Sequence, residues 1–457
     1  MKKEYIKGIV EGFYGRPWDW QERKDLLTAM TGKYNLYIYA PKEDNYHRDL
    51  WRETYPEAFM NLFEELVTFG KERAIDISLA LSPGLSLIHS DEKDLNIVCD
   101  KFMRFADRGV TTFCLFFDDI PETLIHPADK ERFSSLADGQ SYFTNKVYER
   151  LINKIPNFRF IMCPTLYFGE EVNEYHHELG QKLFQDIEIM WTGPKVCSEK
   201  LETSEAKMIS GVFKRPVLYW DNYPVNDSAM APELHIGPYM GRDGDLYRHS
   251  SGIVLNPMSR AYASMISLNT AGEYFEKRET FDALNSWKST IKKMAPACHE
   301  AFLEFALANQ KSPICPDDSQ LLRNILQTFK SLYAERRRDE AGEHLIKTGR
   351  HIRENAEKIE KELDAKLLAD IKMWLDEYNH WGETLCLVGD VVLADLSMYR
   401  EDTSEENLNN VAARDKKLED HLKQAVEFNT TVLGDELFTF ALDRLRISKG
   451  LVTMYRY

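Results

Sequence analysis

Hydrophobic residues in the first part of the chain form short runs that alternate with longer amphipathic segments. The short runs are rich in β-branched and aromatic residues, and they span residues 5–11, 35–40, 76–81, 111–117, 158–164, 187–191, 217–220 and 252–255. Between most of them lie segments such as 57–73, 92–108 and 142–154, whose apolar residues recur at steps of three and four. The pattern predicts strands that alternate with helices.

Eight strand–helix units within about 275 residues match the size of a (β/α)8 TIM barrel better than an open doubly wound sheet. The predicted strands are almost continuously apolar, as in parallel sheets that are covered on both faces. One connection, 227–251, contains Gly, Pro and Asp without helical periodicity, and long loops of this kind are often functional. We therefore expect an α/β fold, a barrel over residues 1–280.

Beyond about Phe281 the strand pattern ends and long amphipathic segments follow, among them 320–335, 341–361, 367–399 and 408–428. They predict an all-α helical bundle of five or six helices over residues 281–457. A chain of 457 residues exceeds the roughly 250 to 300 residues at which single cores stop growing, so two domains are expected.

Charge and cysteine content narrow the expected partners and compartment. A net charge of -16 argues against nucleic acid and anionic membranes as partners. Seven cysteines without a C-x-x-C pair fit reduced thiols. The first residues lack the apolar core of a signal peptide, and no apolar run is long enough to span a bilayer. We expect a cytoplasmic protein.

Polar and aromatic side chains end nearly every predicted barrel strand, at the edge where barrel enzymes gather their active sites. Aromatic faces suit the apolar face of a pyranose, and convergent amides and carboxylates suit its hydroxyl groups; each residue taken singly is equally compatible with a core or turn role. The candidates are Gly12, Tyr14, Gly15, Lys42, Asp118, Asp119, Tyr167, Trp191, Trp220, Asp221, Asn222, Asn226, Asp227 and Asn256.

Asp118 and Asp119 follow five consecutive apolar residues. Neighbours in a strand point to opposite faces, so both can enter one site only where the strand ends and the chain curls. Two close carboxylates do not both ionise freely, which makes a general acid available near neutral pH. A surface turn or a site for Mg²⁺ or Ca²⁺ explains the pair as well, although further ligands at motif spacing are missing. His176 and His177 do not form an H-E-x-x-H motif.

Residues 5–280 resemble glycoside hydrolase family eighty-four, the O-GlcNAcase and bacterial β-N-acetylglucosaminidase family. The resemblance rests on the ordered segments GIVEGFYGRPW, YAPKEDNYHR, SPGL, FDDI, CPTLY, WTGPKV, WDNYPVND, GPYMGR and LNP. It implies a retaining exo-acting hydrolase of terminal β-linked GlcNAc, with O-GlcNAc on Ser or Thr of proteins as a candidate substrate. It also implies no metal or organic cofactor, and a homodimer formed through the helical domain in some members.

The resemblance assigns a role to individual residues. Asp118 orients the 2-acetamido group for attack on the anomeric carbon, and Asp119 protonates the leaving oxygen and then activates water against an oxazoline intermediate. Sugar hydroxyls are assigned to the backbone of Gly12 and to Lys42, Asn222, Asp227 and Asn256. Tyr167 and Trp220 shape the acetamido pocket, with Cys163 near it.

Leu166 and Pro121 depart from the residues common in the family, and both flank the site, so they bear on aglycone preference. The competing hypothesis is a catalytically silent GlcNAc-binding or scaffold protein. A metal-dependent hydrolase is a third.

Overall fold

Eight parallel strands close into a barrel in chain order in the computed structural model, which describes residues 4–317, 319–399, 403–433 and 435–456. The strands are β1 Ile6–Glu11, β2 Leu36–Tyr39, β3 Asp76–Leu81, β4 Thr112–Phe116, β5 Arg159–Cys163, β6 Glu188–Trp191, β7 Leu218–Asp221 and β8 Gly252–Leu255. Each lies within one residue of its predicted bounds. The predicted TIM barrel is confirmed.

Helices connect most of the strands, and they lie where the amphipathic segments of the sequence predict them. They are α1 Trp20–Ala29, α2 Glu57–Lys71, α3 Glu92–Ala106, α4 Pro127–Arg132, α5 Leu136–Leu151, α6 Glu174–Lys182, α7 Thr203–Phe213 and α8 Ala261–Lys277. The start predicted for α5, residue 142, was wrong by six positions. Its first turns lack apolar periodicity, but the Ser135 hydroxyl accepts a hydrogen bond from the Asp138 backbone N–H at 3.0 Å and caps the helix there.

Alternate residues of the strands fill the barrel interior. The buried cluster comprises Ile6, Val10, Leu36, Ile38, Ala40, Ala80, Cys114, Phe116, Ile161, Cys163, Met190, Leu218, Trp220 and Val254. Within a strand these positions differ by two or four, as the pleat requires. The intervening residues therefore face the surrounding helices, and the interior is a packed core with its upper layer at the carboxyl ends of the strands.

The chain divides into two compact units, Met1–Ser228 with Pro238–Trp287, and Ala229–Gly237 with Lys288–Tyr457. Beyond residue 281 the described ranges hold seven helices rather than the five or six predicted, because two short ones precede the long segments. They are α9 Ala283–Met294, α10 His299–Ala308, α11 Gln320–Ala334, α12 Arg338–Glu362, α13 Ala365–Tyr399, α14 Glu405–Ala425 and α15 Asp435–Arg456.

A segment of the connection between β7 and β8 belongs to the helical unit. The Pro232 carbonyl oxygen accepts hydrogen bonds from Trp374 Nε1 at 2.7 Å and from the Thr431 backbone N–H at 2.8 Å. The rest of 227–251 is irregular apart from two 3-10 turns, Ser228–Met230 and Leu246–Arg248. Within the described ranges, none of the helices has the length and apolar character needed to cross a bilayer.

Candidate active site

The barrel mouth is lined by residues that lie two positions beyond a core residue of their strand. Because side chains two apart share a face, each points toward the barrel axis like the core residue before it. These pairs are Val10 and Gly12, Ala40 and Lys42, Phe116 and Asp118, Trp220 and Asn222, and Val254 and Asn256. The alternation of inward-facing and outward-facing residues in the core therefore continues into the site.

Asp118 and Asp119 reach the same space because the chain turns between them. Asp118 keeps the inward direction of Phe116 and is buried. Asp119 has a φ of 54°, in the left-handed region that few residues other than glycine adopt, and its side chain is 35% exposed. This backbone conformation explains how two neighbours at the end of a strand enter one site, and strain of this kind is characteristic of functional sites.

Lys42 supplies the positive charge beside the two carboxylates. Its ammonium donates to Oδ2 of Asp118 and lies 3.8 Å from Oδ2 of Asp119. Although burial opposes the charged form, the charges of Asp118 and Asp119 raise the pKa of Lys42 above its ordinary value. Among the described residues no donor reaches Oδ1 of Asp118. A buried carboxylate oxygen is therefore left as an acceptor inside the site.

Two phenols hold the carboxylate of Asp119. Tyr14 donates to Oδ2 at 2.8 Å, and Tyr167 donates to Oδ1 at 3.0 Å. Burial, followed by the charge of Asp119, raises the pKa of Tyr167, and burial raises that of Tyr14. Both phenols therefore stay protonated near neutral pH and remain able to donate. Both oxygens of Asp119 are therefore held in place by hydrogen-bond donors.

Amides at the ends of β7 and β8 form one network under the mouth. Asn222 Oδ1 accepts from Trp220 Nε1 at 2.8 Å and from Asn256 Nδ2 at 2.9 Å. Asn256 Oδ1 in turn accepts from the Gly12 backbone N–H at 3.2 Å. A Cβ on Gly12 would lie 2.5 Å from Trp220 Cζ2, so only glycine leaves room for the indole here. The network fixes four of the predicted sugar-binding residues relative to one another.

Asp227 lies beside Tyr14 at the mouth, and Cys163 lies beneath the site. Oδ2 of Asp227 accepts from the Tyr14 backbone N–H at 2.8 Å, and burial raises the pKa of Asp227. Cys163 lies in the core beneath Tyr167, and burial raises the pKa of its thiol well above the ordinary value. That thiol is a packing group rather than a nucleophile.

Two candidates named for their place at strand ends do not enter the site. Trp191 and Asp221 lie one residue out of phase with the inward positions of β6 and β7. Trp191 Nε1 donates to Glu205 at 2.6 Å. Asp221 forms a buried ion pair with Arg242, at 2.6 Å, and accepts from the Tyr239 hydroxyl at 2.7 Å.

Three groups that support the site were not singled out from the sequence. Arg242 anchors the connection that follows β7, because it also donates to the backbone carbonyl oxygens of Ser198, Glu199 and Met240. Glu11 does the same after β1, by pairing with Arg23 at 2.8 Å and accepting from the Trp18 backbone N–H at 3.0 Å. Arg48 donates to the Tyr14 hydroxyl at 3.1 Å.

Throughout the described part of the chain, three or more His, Cys, Asp or Glu side chains nowhere come together in a way that suits a metal ion. The mouth instead pairs its carboxylates with Lys42 and tyrosine hydroxyls. Such an arrangement suits proton transfer to and from a bound molecule.

Comparisons with known proteins agree with this geometry. The family model described as β-N-acetylglucosaminidase matches residues 7–307. Protein O-GlcNAcase of Rattus norvegicus and that of Mus musculus are each 34% identical over 281 residues, which is 60% of this chain and 30% of theirs. The chain thus spans less than a third of the length of these relatives.

Two solved structures resemble nearly the whole chain. A mutant of Thermobaculum terrenum O-GlcNAc hydrolase matches with a TM-score of 0.94 at 35% identity, covering 98% of this chain and 96% of that one. The structure of CpGH84B matches with a TM-score of 0.83 at 26% identity, covering 96% of this chain and 76% of that one.

Proposed function

The chain belongs to the β-N-acetylglucosaminidase family, and from that premise we propose that it is a retaining exo-β-N-acetylglucosaminidase that works by substrate-assisted catalysis. Its substrates are glycoconjugates with terminal β-linked GlcNAc, including O-GlcNAc on Ser or Thr of proteins. The names of the similar proteins, protein O-GlcNAcase and O-GlcNAc hydrolase, support this substrate class.

The observation that carries the proposal is the unequal environment of the two carboxylates. Asp118 is buried beside Lys42 with Oδ1 left as an acceptor, whereas Asp119 is partly exposed and held by two phenols. A buried carboxylate that pairs with a cation through one oxygen and leaves the other free suits the role of acceptor for the acetamide N–H. A carboxylate at the solvent edge is able to exchange protons with the glycosidic oxygen and with water.

The reaction then follows in two steps. The acetamido oxygen attacks the anomeric carbon while Asp119 protonates the leaving oxygen, which gives a free alcohol and a protonated oxazoline whose N–H still donates to Asp118. Asp119 next takes a proton from water, which attacks the anomeric carbon and reopens the ring with net retention. No protein nucleophile is needed, unlike the usual retaining scheme with two carboxylates on opposite sides of the sugar. A tethered nucleophile contributes roughly 7 to 11 kcal/mol in favourable cases.

Hydrolysis of a chromogenic aryl β-GlcNAc glycoside tests the proposal. We expect turnover by the wild type and a loss of roughly 10²- to 10⁴-fold in Asp119→Ala, the usual contribution of a general acid and base. The matched control is Glu72→Ala, an exposed carboxylate on the outer face, which should behave as wild type.

Equal rates for wild type and Asp119→Ala would contradict the assignment of the acid. GlcNAc binding by calorimetry without turnover of any GlcNAc glycoside would instead favour the silent sugar-binding protein.

A further inference from the structure

Arg48 stands beside the proposed acid without a carboxylate partner of its own in the described ranges. It lies in the connection after β2, half-buried at the barrel mouth. Its Nη1 donates to the Tyr14 hydroxyl at 3.1 Å, and its Nη2 donates to the backbone carbonyl oxygen of Asp119 at 3.4 Å. Arg52, Arg108 and Arg150 each pair with a carboxylate. The Arg48 guanidinium is directed instead at a phenol and a peptide oxygen.

The two contacts restrain both the backbone and the side chain of Asp119. The left-handed backbone of Asp119, with a φ of 54°, costs on the order of 1 to 3 kcal/mol and persists only when its surroundings enforce it. Nη2 fixes the peptide group of that residue. Nη1 fixes the phenol that donates to Oδ2 of the same residue at 2.8 Å. A planar guanidinium serves two acceptors at a fixed spacing, which an ammonium does not.

Arg48 also dictates the direction of the bond between Tyr14 and Asp119. A guanidinium only donates, so the Tyr14 oxygen accepts from Arg48 and keeps its own hydrogen for Oδ2 of Asp119. The second phenol, Tyr167, donates to Oδ1 without any such constraint on its hydroxyl. Arg48 therefore fixes the direction of the hydrogen bond to Oδ2 of the carboxylate, whereas the hydrogen bond to Oδ1 is not fixed in this way.

We propose that Arg48 is a positioning residue for proton transfer by Asp119, acting through Tyr14 and through the Asp119 peptide group. The proposal rests on the function proposed above. Arg48 need not touch the sugar or the leaving oxygen; it keeps the carboxylate aimed at the place where the glycosidic oxygen develops charge. Misplacing a catalytic group by about 1 Å costs as much as 10²-fold in rate.

A positioning role for the acid has a signature that depends on the leaving group. An alkoxide is a poor leaving group and needs the proton, whereas dinitrophenolate departs without one. The ratio kcat/KM reports the steps up to the departure of the first product when that departure is irreversible. Damage to acid positioning should therefore lower kcat/KM for methyl β-GlcNAc much more than for dinitrophenyl β-GlcNAc.

The experiment measures kcat/KM for both glycosides in the wild type, Arg48→Met and Arg48→Lys. We expect Arg48→Met to lose roughly tenfold or more on the methyl glycoside, within the usual contribution of general acid catalysis, and to change little on the dinitrophenyl glycoside. Arg48→Lys should remain impaired on the methyl glycoside, because it keeps the charge but not the two-point contact. Tyr14→Phe should show the same selectivity, and adding Arg48→Met to it should cost less than in the wild type.

Arg16→Met is the matched control, since Arg16 lies in the connection after β1 and pairs with Glu22 at 2.7 Å. It should leave both rates close to wild type. An equal loss on both glycosides in Arg48→Met would overturn the proposal, and so would full activity of Arg48→Lys on the methyl glycoside. If the wild type cleaved neither glycoside, the proposed function itself would fail instead.

Discussion

At the scale of single residues, Lys42 compensates the negative charge of the two carboxylates. It is the buried cation that faces both Asp118 and Asp119. Taking an ionised carboxylate out of water costs several kcal/mol unless a partner compensates it, and removing one partner of a buried pair leaves that cost in place. The acceptor role proposed for Asp118 therefore depends on this one ammonium.

Lys42→Met is expected to lower kcat/KM on an aryl β-GlcNAc glycoside by roughly 10²- to 10³-fold, the cost of removing one electrostatic contact from an active site. Asp118 would then lose its countercharge and no longer accept the acetamide N–H efficiently. Steady-state kinetics measure the effect, with Lys24→Met as the control, because Lys24 is a partly exposed lysine that pairs with Glu65. Unchanged kinetics in Lys42→Met would show that Asp118 acts without its cation.

The inward direction of most site residues follows from the pleat once it is known which strand residues face the barrel axis. Side chains two apart share a face, so Asp118 lies on the side of Phe116 and Lys42 on the side of Ala40. The sequence alone does not show which residues face inward, because the predicted strands are almost continuously apolar. The position of Asp119 does not follow, because it depends on a left-handed backbone. The role of Arg48 does not follow either, because its partners, Tyr14 and Asp119, are 34 and 71 residues away in the chain.

At the scale of elements, outward-facing acids at the ends of β1 and β7 anchor the connections that carry the site. Glu11 pairs with Arg23, and Asp221 pairs with Arg242, both in buried surroundings. Each pair lies one residue out of phase with the inward series. The alternation that points Gly12 and Asn222 inward therefore also points their neighbours at the supporting arginines.

A buried carboxylate joins three helices of the helical unit. Asp395 of α13 accepts from the Ser448 hydroxyl of α15 at 2.7 Å, with Asp415 of α14 close by. Burial, against the attraction of Arg444 and Arg338, raises the pKa of Asp395 from 3.8 to about 6. A raised folded-state pKa means that the stabilisation is complete below the unfolded value and is lost as the pH rises through about 6.

Asp395→Asn is expected to raise the free energy of unfolding of the helical unit at pH 7 by about 3 kcal/mol, since a shift of one pKa unit corresponds to about 1.4 kcal/mol. The amide keeps an oxygen for Ser448 and carries no charge. The gain should vanish near pH 4, where the wild-type carboxyl is protonated as well. Urea unfolding followed by circular dichroism at the two pH values measures this difference. A gain of equal size at both would contradict the titration, and Asp443→Asn, an exposed acid, serves as the control.

At the scale of the whole molecule, both the barrel and the helical character of the second half were predictable. The boundary between the two compact units was harder to foresee, because Ala229–Gly237 lies between two barrel strands and yet belongs to the helical unit. The hydrogen bond from Trp374 to the backbone of this segment joins residues 142 positions apart. The local sequence pattern of this irregular loop does not predict such a partner.

The central claim is that the substrate's own acetamide, oriented by Asp118, is the nucleophile. The most direct test is a series of aryl β-GlcNAc glycosides whose N-acetyl group carries none, one, two or three fluorine atoms. Fluorine withdraws electron density from the acetamido oxygen, so we predict that kcat/KM of the wild type falls steeply with each added atom. A kcat/KM that does not change across the series would contradict the account.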